Sequence, residues 1–232
     1  MRIQNEKYET TGETIVHIGV TLHRIKAIKT FGCVTAGALG GFISCEANLS
    51  ASGNAWVSDN AWVSGNAWVY GNARVSGDAR VSGDARVSGD ARVYGNARVD
   101  GNAWVSDNAR VSDNARVSGN ARVSGNVWVY GNARVSGNVW VYGNARVSGD
   151  AWVSGDARVY GDAHYITISP IGSEAGCLTA CVQKDGSIRF TRACFHGTKA
   201  EFLAAVKTKH GESSTARQYE LCVALVEERL KP

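Results

Sequence analysis

The side chains of this sequence that could support chemistry are cysteines and histidines near its C-terminal end. Cys194 and His196 are separated by one residue, and Cys177 and Cys181 precede them. Such a group could in principle form a zinc site or a Cys/His nucleophile pair. The spacing matches no structural zinc pattern, however, and cysteines on strands are most often small buried apolar residues. We therefore expect no metal ligand, no cofactor-binding residue and no catalytic residue here.

A second set of candidate residues precedes regularly spaced valines. Valine recurs at every sixth residue from Val57 to Val159, which makes 18 valines in phase. The residue before each of them is arginine or tryptophan, and all seven tryptophans of the chain occupy this position. Guanidinium and indole groups repeated at a fixed interval favour stacking and contact surfaces rather than catalysis.

These side chains belong to a six-residue repeat that runs from Ser52 to Tyr165. In the segment 73–76, strand alternation puts Ala73 and Val75 on the same face. The following Gly-Asp or Gly-Asn pair favours a turn, because Gly and Asn tolerate positive φ. A strand of this length is not stable alone. Consecutive strands must therefore become the sides of a coil whose turns stack in parallel, with valine and alanine inside.

The phrase Val75-Ser76-Gly77-Asp78-Ala79-Arg80 resembles the repeat of the hexapeptide-repeat family, with Gly one place later than its commonest position. This resemblance covers roughly half of the chain. It implies a left-handed parallel β-helix of triangular cross-section, with three hexapeptides per coil and about six coils. At about 4.8 Å per stacked strand, the prism would be roughly 30 Å long.

Three repeats per coil would stack residues that are 18 apart into columns. One column alternates strictly, and we predict that it contacts another subunit or a partner. Its members are Trp68, Arg86, Trp104, Arg122, Trp140 and Arg158. The alternative is a surface column whose side chains interact only with one another. Stacking of guanidinium on indole would then contribute about 0.5–1 kcal/mol per exposed pair. The other columns contain runs of arginine, whose charge Asp78, Asp84 and Asp90 are expected to compensate.

An enzymatic alternative follows from the same resemblance. Many hexapeptide proteins are acyltransferases that use acetyl-CoA or an acyl carrier protein, with a general-base histidine between subunits of a trimer, commonly beside a loop that interrupts the coils. Here no loop interrupts the repeats, and His164 in the last phrase is the first histidine within them. We expect His164 to replace Arg or Trp in its column. An acetyl-CoA-dependent acyltransferase thus stands second to a binding role.

The residues outside the repeats predict two terminal units. We assign residues 1–50 to a β cap, because an open end of a β-helix exposes apolar core and unpaired backbone groups. Within it, the segments 13–18 and 21–28 alternate as two strands. Residues 51–165 form the β-helix, and residues 166–232 form a small α+β domain.

The C-terminal domain is predicted to contain a hairpin and two helices. The segments 177–182 and 187–190 flank Lys184-Asp185-Gly186, which favours a tight turn. Thr198 to Glu201 reads as a capping box that starts a helix ended by Gly211. A second helix is predicted from about Ser214 to Arg229, where apolar residues recur at helical spacing.

Composition limits the partners and the compartment. The net charge is +4, and between residues 51 and 164 the chain has 11 Arg against 10 Asp, so a nucleic-acid surface is not indicated. The N-terminus has no apolar run, which predicts no signal peptide, and no stretch is apolar enough to predict a membrane span. Six scattered cysteines fit a reducing compartment. We expect a cytoplasmic protein.

The N-terminal segment together with the repeats resembles a group of bacteriophage and prophage hexapeptide proteins. That resemblance implies the cytoplasm of a host cell and a host or virion partner. The sequence as a whole predicts a mainly β, non-enzymatic scaffold that forms a homo-oligomer, with a trimer expected first and a dimer second. A third alternative is a phage protein that sequesters a small ligand between subunits.

Overall fold

The computed structural model describes residues 3–230, apart from the side chain of Asp162. Along the chain, three strands precede a stack of very short strands, and four longer strands and two helices follow. The predicted fold class is confirmed: the chain is mainly β, with a parallel β-solenoid, a β N-terminal region and a small C-terminal part that contains both sheet and helices.

The N-terminal region is a hairpin followed by a strand that enters the solenoid. Strand β1 (Tyr8–His17) pairs antiparallel with β2 (Val20–Ala27), as the alternation in this region predicts. Strand β3 (Leu39–Ile43) pairs antiparallel with β2 and, on its other edge, parallel with a strand of the repeats. A short 3-10 helix, Glu46–Asn48, follows. One sheet therefore continues from the hairpin into the solenoid.

The repeats form 18 strands of two residues each, β4 to β21. In chain order they are Trp56–Val57, Trp62–Val63, Trp68–Val69, Arg74–Val75, Arg80–Val81, Arg86–Val87, Arg92–Val93, Arg98–Val99, Trp104–Val105, Arg110–Val111, Arg116–Val117, Arg122–Val123, Trp128–Val129, Arg134–Val135, Trp140–Val141, Arg146–Val147, Trp152–Val153 and Arg158–Val159. Every third strand belongs to the same sheet, and each residue pairs in parallel with the residue 18 positions further on. The solenoid thus has three sides of six strands, and the left hand of the coil stays a prediction.

The interior of the solenoid is a stack of valine and alanine side chains. The valines of all 18 strands are fully buried, and so are the small apolar residues two positions before most of them. Each turn needs a residue that tolerates positive φ. Gly83, for example, has φ of 69°, and a Cβ there would lie 3.0 Å from the backbone N of Gly101 in the next coil. Close stacking of coils and the left-handed turn conformation therefore both favour glycine at this corner.

The N-terminal end of the solenoid is closed by residues 39–50. Phe42 N and Ser50 N donate to carbonyl groups of the first coil, at 2.9 Å from Ala61 O and 2.9 Å from Val69 O. The amide of buried Asn48 donates to two more carbonyls of that coil, those of Gly65 and Ala67. This segment forms part of an additional coil, and it satisfies backbone acceptors that an open end would leave unpaired.

The C-terminal end is closed by the sheet that follows the repeats. The backbone N–H of Trp152 donates to Thr179 Oγ1 at 3.0 Å, and that of Asp156 donates to Gln183 Oε1 at 2.9 Å. Cys181 is fully buried and completes the apolar core of the last coil. Side chains of the cap thus replace the carbonyl groups that a further coil would provide.

The C-terminal unit is a four-stranded antiparallel sheet with two helices. Its elements are β22 (Tyr165–Ile171), β23 (Gly176–Val182), β24 (Ile188–Arg192), β25 (Phe195–Gly197), α1 (Lys199–His210) and α2 (Ser214–Arg229). The hairpin and both helices occur where the sequence predicts them, and Thr198 and Glu201 form the expected capping box. Strand β25 is an addition to the prediction. Phe190, Phe202 and Tyr219 pack in the core between sheet and helices.

Candidate self-association surface

The six residues of the predicted column lie on neighbouring strands of one side of the prism, here called the alternating face. The side consists of strands β6, β9, β12, β15, β18 and β21. Its residues pair in the order Trp68, Arg86, Trp104, Arg122, Trp140 and Arg158. Because the following valines point into the core, these side chains must point outward. Tryptophan therefore recurs on every second coil along the whole side.

Guanidinium groups cover indole rings in the second half of the alternating face. The guanidinium carbon of Arg122 lies 5.9 Å from the ring centroid of Trp104 and 5.0 Å from that of Trp140. Arg158 approaches Trp140 more closely, at 4.4 Å. These distances match the cation–π stacking that the alternation predicts. Part of the indole surface is thus covered within the chain, and the stacking holds the guanidinium groups in place.

Two of the tryptophans nevertheless remain strongly exposed. The exposed fraction is 42% for Trp68 and 40% for Trp140, whereas Trp104 is half-buried and donates from Nε1 to Ser88 Oγ at 3.2 Å. A depression of about 530 Å³ lies between Trp104 and Trp140, with Arg122 in its floor. Large apolar groups exposed in a row are typical of contact surfaces between proteins.

Tyrosines extend the aromatic surface beyond the column of tryptophan and arginine that the sequence predicts. Tyr70 stacks on Trp68 with ring centroids 4.1 Å apart, and Tyr142 and Tyr160 lie 4.9 Å apart at the C-terminal end of the same side. The signal was present in the sequence, since these tyrosines directly follow valines of the same 18-residue register. Aromatic side chains therefore occur on four of the six strands of the alternating face, including the first and the last.

The other two sides are more basic and less aromatic. On the second face, formed by strands β4, β7, β10, β13, β16 and β19, Trp128 lies between Arg110 and Arg146. On the third face, formed by β5, β8, β11, β14, β17 and β20, four arginines separate Trp62 from Trp152. Burial raises the pKa of Asp100 on this face, an effect that the neighbouring Arg116 and Arg98 oppose.

The acidic residues of the densest arginine region have a different role from the expected one. Asp78, Asp84 and Asp90 each accept a hydrogen bond from the asparagine amide of the preceding coil, at 3.2, 2.9 and 3.1 Å. None of the three forms an ion pair within residues 3–230. Their position at the corners aligns them with the asparagine columns. The expected compensation of the arginine charge therefore does not take the form of direct ion pairs.

The cysteines and histidines near the C-terminus do not form one site. Cys181 lies in the solenoid core, where burial raises the pKa of its thiol to about 11, whereas Cys194 is exposed in a turn. His196 packs edge-on against Trp152, and burial, followed by the charge of Arg189, lowers its pKa. In the described part of the chain, no three His, Cys, Asp or Glu residues are placed to hold a metal ion.

His164 differs from the prediction that it continues an outward column. It ends a short 3-10 helix, Asp162–His164, and its ring packs edge-on against Tyr160 with centroids 3.7 Å apart. Its Nδ1 is buried and has no hydrogen-bond partner among the residues that the structure places. A general base needs a group that orients its ring. Nothing in this arrangement favours acyl transfer.

Comparisons with known proteins bear on the repeat region. Among the helices defined between residues 3 and 230, none combines the length and apolarity needed to cross a bilayer. No curated protein matches the chain. A family model described as Bactofilin, polymer-forming cytoskeletal, matches residues 69–170, which is a little less than half of the chain. In fold the chain is a β-solenoid repeat protein, and through most of its repeats it is similar to a family of polymer-forming cytoskeletal proteins.

Proposed function

We propose that this protein is a non-enzymatic structural scaffold that associates with copies of itself through the alternating face. The observation that carries the proposal is the recurrence of aromatic side chains along the alternating face, where Trp68 and Trp140 are exposed and Trp104 and three tyrosines add to the aromatic surface. The match to polymer-forming cytoskeletal proteins supports self-association as the general role. A rigid prism with regularly spaced contact groups is suited to that role.

The caps favour association through a side of the prism rather than through its ends. Coil-on-coil stacking between two chains would need free backbone groups at the ends of the solenoid. At one end Asn48 and Ser50 occupy the carbonyl groups, and at the other Thr179 and Gln183 occupy N–H groups. End-to-end stacking would have to displace folded segments, whereas a side is directly accessible.

The finer features of the proposal come from the sequence. We expect a trimer first and a dimer second, in the cytoplasm, with the C-terminal unit free to bind a host or virion partner if the resemblance to phage proteins holds. The acyltransferase alternative gains no support from His164, whose ring packs on Tyr160. Sequestration of a small ligand between subunits would place that ligand near the depression between Trp104 and Trp140.

The proposal is tested by light scattering on the full chain over a range of concentrations. We expect the wild type to be oligomeric and a variant with Trp68, Trp104 and Trp140 all changed to Ser to be a folded monomer. Trp128→Ser on the second face is the matched control, because Trp128 is similarly exposed, at 39%. A monomeric wild type, or a triple variant of unchanged mass, would overturn the proposal.

A further inference from the structure

A groove of about 480 Å³ lies where the third face meets the C-terminal sheet. Arg116, Arg134 and Trp152 line it from the solenoid, and Thr179 and Arg192 line it from the cap. It is separate from the alternating face, which lies on another side of the prism. Two parts of the chain that are distant in sequence therefore contribute to one concave site.

The side chains that line the groove carry a net positive charge. Of the residues that line it, three are arginines and Asp150 is the single acid. Asp150 accepts a hydrogen bond from the Asn132 amide at 2.9 Å. In the part of the chain between residues 3 and 230, neither Arg116, Arg134 nor Arg192 has an ion-pair partner. Acidic residues outside the groove lie near two of them, because the charge of Arg116 acts on Asp100 and that of Arg192 acts on Glu174. Among the described residues, Arg116 and Arg134 form no direct ion pair and are available to an anion.

Neutral groups hold two of the three arginines, and those that hold Arg192 turn its guanidinium toward helix α2 and away from the solenoid. Arg192 donates from Nε to the Tyr219 hydroxyl at 3.2 Å and from Nη2 to the carbonyl of Ile171 at 3.4 Å. The guanidinium of Arg134 lies 5.4 Å from the ring centroid of Trp152. Neither contact neutralises the charge. A positive group that is positioned in advance loses less conformational entropy when it binds a ligand.

The spacing of the arginines indicates the kind of anion. Arg116 and Arg134 are direct partners on neighbouring parallel strands, so their backbones are about 4.8 Å apart. Planar guanidinium groups bind phosphate oxygens through two hydrogen bonds at a time. Two guanidiniums on neighbouring strands therefore suit two linked phosphate groups, one group for each guanidinium.

The groove is suited to binding rather than to catalysis. Its one nucleophilic side chain is Cys177, and burial, the main effect, raises the pKa of that thiol above its usual value. A protonated thiol is a weak nucleophile. We propose that the groove binds a small ligand that carries a diphosphate group, held by Arg116 and Arg134. This site goes beyond the scaffold role and does not depend on it.

Calorimetric titration of the full chain with inorganic pyrophosphate tests the proposal. We expect saturable binding in 150 mM NaCl that is at least tenfold weaker in the Arg116→Gln/Arg134→Gln variant. Arg92→Gln/Arg110→Gln is the matched control, since these arginines are also partners on neighbouring strands but lie on the second face. The control is expected to bind as the wild type does, and circular dichroism verifies that both variants are folded.

A second readout does not depend on any substitution. In a nitrogen-15 spectrum of the wild type, pyrophosphate is expected to shift the indole N–H signal of Trp152 and to leave that of Trp128 unchanged. Absence of saturable binding, equal weakening in both double variants, or a shift of Trp128 alone would overturn the proposal. Equally tight binding of malonate would contradict the assignment to a diphosphate.

Discussion

Lys7 is the residue whose environment departs most from what its chemistry favours. It is fully buried at the N-terminal end of the solenoid, where its Nζ donates to the carbonyl of Ser50 at 2.9 Å and lies 4.7 Å from the ring centroid of Phe31. Burial, and to a smaller extent the charge of Lys29, lowers the pKa of Lys7 to about 8. A charged amine is therefore costly at this position.

The lowered pKa of Lys7 predicts a specific pH dependence of stability. Between about pH 8 and the unfolded value of 10.5, the unfolded chain holds a proton that the folded chain has released, so this group makes the free energy of unfolding rise with pH. From pH 7.5 to 9.5 the rise is about 2 kcal/mol. We expect wild type to gain that much relative to Lys7→Met, as measured by chemical denaturation at both pH values.

The comparison with Lys7→Met is needed because the pKa shifts of other groups make stability fall, not rise, with increasing pH. Burial raises the pKa of Tyr8 to about 12 and that of Cys181 to about 11, so each holds a proton in the folded chain that the unfolded chain loses at high pH. Those contributions reduce stability as pH rises, and they are common to both proteins. Parallel pH curves for wild type and Lys7→Met would refute the account of Lys7.

At the residue scale the sequence predicted the interior of the solenoid well and its ends poorly. Val75 and Ala73 are buried together because strand alternation leaves them no other face. The burial of Lys7 and Cys181, by contrast, depends on how the terminal segments fold over the prism. Periodicity carries no information about such non-repeated contacts, and a lysine is rarely expected in a core.

At the element scale, asparagine side chains form chains of hydrogen bonds along the corners of the prism. In one corner Asn102 donates to Asn120, Asn120 to Asn138 and Asn138 to Asp156, at distances of 2.9 to 3.1 Å. Asn120 and Asn138 each accept from the preceding coil and donate to the next. An aspartate ends such a chain because an ionised carboxylate accepts hydrogen bonds but donates none.

Two reciprocal substitutions in this corner are expected to change the stability of the solenoid in opposite directions. The Asp84 carboxylate accepts a hydrogen bond from the Asn66 amide but has no N–H to donate to Asn102 in the next coil. Asp84→Asn would supply that donor and join two chains of amides. We expect Asp84→Asn to stabilise the solenoid by about 0.5–1 kcal/mol. Asn120→Asp removes the donor to Asn138 and should destabilise by a similar amount. Urea denaturation in 0.5 M NaCl, where surface charges are screened, measures both.

The two variants change the net charge in opposite directions, which allows charge and hydrogen bonding to be separated. If the amide chains contribute, the changes in unfolding midpoint keep their signs at low and high salt. Effects that vanish in 0.5 M NaCl would show that charge alone was responsible, and equal shifts of the same sign would exclude the amide chains as a source of stability.

The sequence predicted most elements but not all of their pairings. The hairpin β1–β2 and the helices α1 and α2 were visible because alternation, capping residues and helical spacing are local signals. The continuation of β3 into the solenoid sheet and the short strand β25 were not visible. The pairing of β3 joins strands that are distant in sequence. Strand β25 has only three residues, too few for a recognisable pattern.

At the scale of the whole molecule, both ends of the solenoid are closed and one side is aromatic. The caps leave the sides as the accessible surfaces, and the alternating face presents Trp68 and Trp140 to solvent. The column was predictable from the 18-residue register, whereas the partial covering of its indoles by Arg122 and Arg158 needed the structure. We propose that copies of the chain associate through this side.

The most direct test is to find which side lies at the contact between chains. Ser124, Ser148 and Ser118 follow valines at the same point of the repeat on the alternating, second and third faces, and all three are half-buried. Each is changed to Cys in a chain whose exposed Cys33 and Cys194 are replaced by Ser. A short bifunctional maleimide is then added, and the yield of covalent dimer is measured.

We expect Ser124→Cys to give the dimer in high yield and Ser148→Cys and Ser118→Cys to give little. Preferential cross-linking at Ser118 or Ser148, or equal yields at all three positions, would contradict the assignment of the alternating face as the surface through which copies of this protein associate.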